Sequence, residues 1–256
     1  MDKIKLKRYG WWPDIPDARD ARYMARPAIL AAMPTSVDLR PGCPPIYDQG
    51  ELGSCTANAI AAALDFDRGR QELAFMAPSR LFIYWAERDM EGSVAEDSGA
   101  MIRDGMKVVS RLGAPEETFW PYDIAQFAAR PPETAYIEAE KHQALRYMRL
   151  TPLETQLKAC LAEGFPFVFG FAVYDGFESH QVAITGEAEL PGLLERQVGG
   201  HAVLAVGYDD TTRRFLVRNS WGEGWGQHGY FTLPYAYLTD ANLADDFWTV
   251  RLVEAG

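Results

Sequence analysis

Cys55 closes the segment Gln49-Gly50-Glu51-Leu52-Gly53-Ser54-Cys55 and opens an Ala-rich run, Thr56 to Phe66, that reads as a helix. Backbone N–H groups at a helix start favour negative charge, so a thiol placed there ionises more readily. The thiolate is a nucleophile, and the amide of Gln49, upstream in the same segment, is suited to holding an oxyanion. Far downstream, Gly199-Gly200-His201 opens an apolar, strand-like run to Tyr208, and Arg218-Asn219-Ser220-Trp221-Gly222 follows it. Cys55 and His201 are 146 residues apart, and His201 and Asn219 are 18 apart. A cysteine nucleophile, a histidine base and an asparagine that holds the imidazole in one tautomer fit that order. The chemistry such a set performs is acyl transfer through a thioester.

With these segments in hand, the chain resembles the papain-like cysteine peptidases of the C1 family, from about Ser36 to Phe231. Val37-Asp38-Leu39-Arg40 resembles the start of the family's mature domain. The resemblance implies that Cys55 is the nucleophile, His201 the base, Asn219 its orienting partner and Gln49 the oxyanion-hole side chain. Trp221 then matches the tryptophan packed over the His–Asn hydrogen bond. Trp120-Pro121-Tyr122 and Asp97-Ser98-Gly99 fall where the family has an aromatic-Pro-Tyr turn and a substrate-binding glycine loop. Ser98, Gly99, Met101, Gly170, Gly200, Ala202 and Trp221 are the implied cleft residues. Met101, Gly170 and Ala202 would line the pocket for the second residue before the cut, with a preference for bulky apolar side chains. One departure is Leu52, which stands where the family commonly has a bridging cysteine.

The implied fold is α+β, a helical lobe facing a strand-rich, β-barrel-like lobe with the site in the cleft between them. The implied activity is that of a cysteine peptidase, endopeptidase favoured, acting on peptide or protein substrates without metal or organic cofactor. An exopeptidase, a peptide ligase and a non-catalytic papain-like binding module are the alternatives. The intact Cys, His, Asn and Gln speak against the last.

Bulk composition narrows the partners. The 256 residues are 48% hydrophobic and 24% charged, with a formal net charge of −11. Nucleic acids and anionic membranes need basic surface, so neither is expected as a partner. No apolar run approaches a membrane span. Met1 to Arg8 is basic but lacks the apolar stretch of a signal peptide. Only Cys43, Cys55 and Cys160 are present, which fits a reducing compartment; Cys43 and Cys160 read as buried free thiols, with a pairing between them as the alternative. A cytoplasmic monomer is the expectation. His142, His180 and His228 read as surface residues, and no close Cys or His pairing suggests a metal site. Gly222, Gly224, Gly226 and Gly229 lack the Lys-Ser/Thr of a phosphate loop.

These residues need elements to hold them. Residues 1–35 carry Tyr9, Trp11, Trp12 and several prolines without periodicity, and read as an extended strap docked by its aromatics. The segment either covers a surface patch or lies in the cleft and restrains activity. Residues 36–145 read as a mainly helical lobe. Its helices are expected over 54–70 with Ala57, Ile60, Ala61 and Leu64 on one face, from Pro78-Ser79, over 99–112, and weakly over 132–145. Residues 146–256 read as the β lobe. It should open with a short helix carrying a capping-box pattern at Thr151 to Glu154. Strands are expected over 165–174, 201–208, 215–218 and 229–233. Residues 175–199 form a long connection beside the base, placed to shape the cleft.

Overall fold

The computed structural model describes residues 9–254; the basic start, Met1 to Arg8, lies outside the described residues. In chain order the elements are β1 (Trp11–Trp12), α1 (Pro27–Ala31), β2 (Ser36–Asp38), α2 (Cys55–Arg70), α3 (Arg80–Glu91), β3 (Ala100–Met101), α4 (Ile102–Arg111) and α5 (Glu133–Ala139). There follow β4 (Ala144–Arg149), α6 (Glu154–Ala162), β5 (Phe167–Tyr174), α7 (His180–Thr185), β6 (Gln197–Asp209), β7 (Arg214–Arg218), β8 (Tyr230–Pro234), α8 (Tyr235–Thr239) and β9 (Ala244–Val253). The fold is α+β. One antiparallel sheet runs in the order β4-β9-β5-β6-β7-β8, with β2 also paired to β6.

The sheet separates two cores. Side chains alternate across a strand, and β5 shows the consequence. Val168 joins the core around α2, while Phe167, Phe169 and Phe171 enter the opposite core with Phe215, Phe231 and Phe247. Helix α2 lies between β6 and β9 on one side and α3 and α4 on the other. The sequence suggests one apolar face for α2, but it is buried all round from Cys55 to Arg68. Its alanines let neighbours approach from every side, and three of its polar side chains are matched. Thr56 donates to Glu87 at 2.8 Å, Asn58 donates to the Ser54 carbonyl at 2.9 Å, and Asp65 accepts from the backbone of Met76 at 3.1 Å.

Several sequence expectations shift. The helix expected over 132–145 ends at Ala139, because Ala144–Arg149 pairs with β9 instead. Neither β4 nor β9 was expected from the pattern, since long-range pairing rather than local propensity makes them strands. Helix α4 starts at Ile102, not Gly99, because Ala100 and Met101 pair in parallel with Trp11 and Trp12. The capping-box pattern is not used: the residue before α6 is Leu153, and no side chain caps the helix. The connection 175–199 holds a turn of 3-10 helix, α7 and the first residues of β6. The strap is not wholly extended, since Pro27 at the first helical position starts α1.

Candidate active site

The loop before α2 is stitched to the loop after β7. The Gln49 N–H donates to the Ser220 carbonyl at 2.9 Å, and the Gly222 N–H to the Tyr47 carbonyl at 3.0 Å. The Gln49 side chain is fixed at both ends: Oε1 accepts from Ser220 Oγ at 2.6 Å, and Nε2 donates to the Leu52 carbonyl at 2.9 Å. Tyr122 of the aromatic-Pro-Tyr turn braces the same loop, donating to the Gln49 carbonyl at 3.0 Å and meeting Ser54 Oγ at 2.5 Å. Two segments distant in sequence are thereby held in register beside Cys55.

His201 enters from β6 and is fully buried. Its Nε2 meets Asn219 Oδ1 at 2.9 Å, and the same oxygen accepts the Ser220 N–H at 2.8 Å. An oxygen accepting both bonds assigns the proton to Nε2, leaving a lone pair on Nδ1. Nδ1 has no hydrogen-bond partner among the described residues. Trp221 stacks on the imidazole at 4.9 Å and 26°. The Cys55 sulfur takes hydrogen bonds from the N–H groups of Ala202, the residue after His201, of Gly10 and of Thr56. Burial outweighs those donors and pushes the thiol up to about 11. Burial likewise pulls His201 down to about 4, against the opposing bond from Asn219. Burial thus favours the uncharged form of each group while the strap is in place.

What buries it is the strap. Tyr9 sits 6.0 Å from the His201 ring and 6.1 Å from Trp221, and its hydroxyl donates to Glu178 at 2.5 Å. Gly10 lies over Cys55, and its carbonyl accepts the Ala100 N–H at 2.7 Å. No side chain fits there: a Cβ on Gly10 would stand 1.8 Å from the Gly53 carbonyl oxygen, and one on Gly99 would stand 2.1 Å from the Gly10 oxygen. Trp11 lies against Gly170 and Gly200, where added Cβ atoms would come within 2.0 Å of its ring and 2.7 Å of its carbonyl oxygen, respectively. Trp12 donates its indole N–H to the Ser98 carbonyl.

The strap therefore meets the cleft residues singled out from sequence. Ser98 and Met101 face Trp12, Gly99 faces Gly10, Gly170 and Gly200 face Trp11, and Trp221 faces Tyr9. Ala202 is the cross-strand partner of Gly170. Sequence reasoning missed Glu178, Ser220 and, beneath Trp11, Asp246. An acidic pair, Asp245-Asp246, inside an apolar run was the one available signal for the last. Of the histidines set aside as surface residues, His180 and His228 are exposed, while His142 is half-buried between Arg68 and Glu138.

The family described as papain family cysteine protease matches residues 33–247. An uncharacterised peptidase C1-like protein of Acanthamoeba polyphaga mimivirus is 46% identical over 216 residues, covering 80% of this chain and 69% of that protein. A cathepsin B-like protein of Giardia intestinalis is 28% identical, covering 84% of this chain and 74% of its own. Among solved structures, xylellain, a cysteine protease from Xylella fastidiosa, superposes with a TM-score of 0.89 at 43% identity, covering 99% of this chain and 100% of its own.

Proposed function

The chain belongs to the papain family of cysteine proteases and is a cysteine peptidase acting on peptide or protein substrates; we propose that it cleaves them through a Cys55 thioester and that its own strap holds it in check. In the proposed cycle the strap leaves, water enters and Cys55 transfers its proton to His201 Nδ1. The thiolate attacks the scissile carbonyl, and the tetrahedral oxyanion takes hydrogen bonds from the Gln49 side chain and the Cys55 backbone N–H. The carbonyl reforms as His201 gives its proton to the leaving amine, and water then hydrolyses the thioester with His201 as base. Asn219 keeps Nε2 protonated throughout, so that Nδ1 is the nitrogen that works.

The observation that carries this reading is the buried His201–Asn219 pair under Trp221, with the Cys55 sulfur against the adjacent Ala202 N–H. Endopeptidase action is the version it favours. The strap occupies the cleft on both sides of Cys55, Tyr9 on one and Trp11-Trp12 on the other, so the groove takes chain in both directions. The strap also runs backwards. The pocket for the second residue before the cut holds Trp11, yet Trp11 follows Gly10 in the chain, so the Gly10 peptide passes Cys55 with reversed polarity. That direction suits an inhibitor and not a substrate. A single experiment tests the catalytic assignment: Cys55→Ala should abolish hydrolysis of small peptide amides by the full chain, and wild-type turnover in that variant would end the proposal.

A further inference from the structure

Strand β9 carries a local distortion at the floor of the Trp11 pocket. Its pairing with β5 slips between Val168 and Gly170, Asp245 lies opposite Gly170, and Asp246 has φ +59°. Left-handed backbone is costly for a non-glycine residue, least so for Asp and Asn, and bulges commonly re-aim a side chain beside a site. Here the distortion turns the Asp246 carboxylate inward, where its side chain is fully buried. Arg149 holds Oδ1 at 2.8 Å. Oδ2 accepts the Trp11 indole N–H at 3.1 Å and the Asp14 backbone N–H at 2.7 Å.

Resting on the peptidase reading above, we propose that Asp246 is a specificity-determining residue: once Trp11 withdraws, its Oδ2 selects substrates with a flat aromatic side chain bearing an N–H donor, tryptophan foremost, in the Trp11 pocket. The strap shows what the pocket accepts. Glycines 170 and 200 leave a slot the thickness of a ring, and the polar atom that the Trp11 indole reaches in it is an acceptor. Withdrawal of Trp11 leaves a buried carboxylate oxygen short of a donor, which a tryptophan replaces and a phenylalanine or leucine does not. A cationic side chain is the poorer match, because the Arg149 guanidinium already occupies the other oxygen. This replaces the simple preference for bulky apolar groups expected from Met101, Gly170 and Ala202.

Two measurements on the full chain test it. The first is the ratio of kcat/KM for peptide amides with tryptophan, 1-methyltryptophan, phenylalanine or arginine as the second residue before the cut. That ratio is independent of how often the strap is open, because opening scales every substrate alike. Tryptophan should exceed 1-methyltryptophan and phenylalanine by about tenfold, the size of one hydrogen bond to a buried acceptor. Asp246→Asn, which tolerates the same backbone, should bring those ratios close to one. Equal rates in the wild type, ratios unchanged in Asp246→Asn, or arginine ahead of tryptophan would each overturn the proposal, while cleavage of the phenylalanine peptide keeps the peptidase reading intact. The second needs no turnover and uses Cys55 alkylation to report strap opening. Trp11→Phe should speed labelling severalfold in the wild type and add nothing in Asp246→Asn; an equal increase in both backgrounds shows that Asp246 does not read the indole N–H.

Discussion

Gly10→Ala is the sharpest probe of the strap. The added methyl would stand 1.8 Å from the Gly53 carbonyl oxygen, 2.6 Å from its carbon and 3.0 Å from its Cα, all backbone atoms. Ordinary contact needs more than 3.4 Å, so the strap must lift from the cleft floor. Overpacking of this kind costs about 1–3 kcal/mol. Lifting also breaks the Ala100 N–H to Gly10 bond and the Gly10 N–H to sulfur bond, each worth about 0.5–1.5 kcal/mol net. Docking should weaken by roughly 2–4 kcal/mol, since relaxation shares these costs, which raises the open population by about 30- to 1,000-fold until opening is complete. The substitution touches none of the strap's other anchors, so the fold should persist. The assay is kcat/KM of the full-chain variant on a short peptide amide, with a urea titration to confirm folding. A folded variant with wild-type kcat/KM and wild-type Cys55 labelling would refute the inhibitory reading.

Other outcomes follow from the same contacts. Iodoacetamide should label Cys55 slowly in the full chain, because the thiol is buried and pushed up to about 11, and at least tenfold faster in Gly10→Ala; equal rates would show that the strap does not shield the sulfur. Deleting residues 1–12 should activate the enzyme with modest loss of stability. Deleting 1–34 should cost about 3–5 kcal/mol more, because Asp14 and Asp20 are the buried partners of Arg103 and Arg149; urea midpoints that agree within error would sink this division of the strap. Stability should fall as pH rises from about 4 to 7. Burial raises Asp67 to about 6 and Glu91 to about 7, and burial with the charge of Asp14 raises Asp246 to about 7. The native state therefore holds protons the unfolded chain has released, and Glu87 and Asp65 add in the same direction. His201 and His142, both lowered mainly by burial, oppose this as weaker terms; a urea midpoint that climbs across the window would contradict the balance. Reductant should leave Tm nearly unchanged, since Cys43 and Cys160 are free; a drop of many degrees would reveal a disulfide.

The side chains proposed as catalytic could be singled out because each stands in a local motif. Cys55 marks a helix start, His201 follows two glycines at a strand, and Asn219 precedes a glycine-rich turn. Type and spacing anticipated the His201–Asn219 pairing, because both motifs are set by short local segments. The helices were legible for a similar reason: the apolar residues of α3 and α4 recur at helical spacing. Strands β4 and β9 were not legible, because each is made a strand by a partner about a hundred residues away. Asp246 belongs with them. Its one local signal, the acidic pair with Asp245, does not say which way it faces; its burial depends on a bulge in β9, a salt bridge from β4 and an indole from the strap, three segments that meet only after the chain has folded. The strap shows the same limit from the other side. Its aromatics made docking predictable, but their destination depends on absences elsewhere: the missing side chains of Gly99, Gly170, Gly199 and Gly200. The shape of the cleft lies in those glycines, so a side chain added at Gly170 should disturb both the strap and the substrate that replaces it.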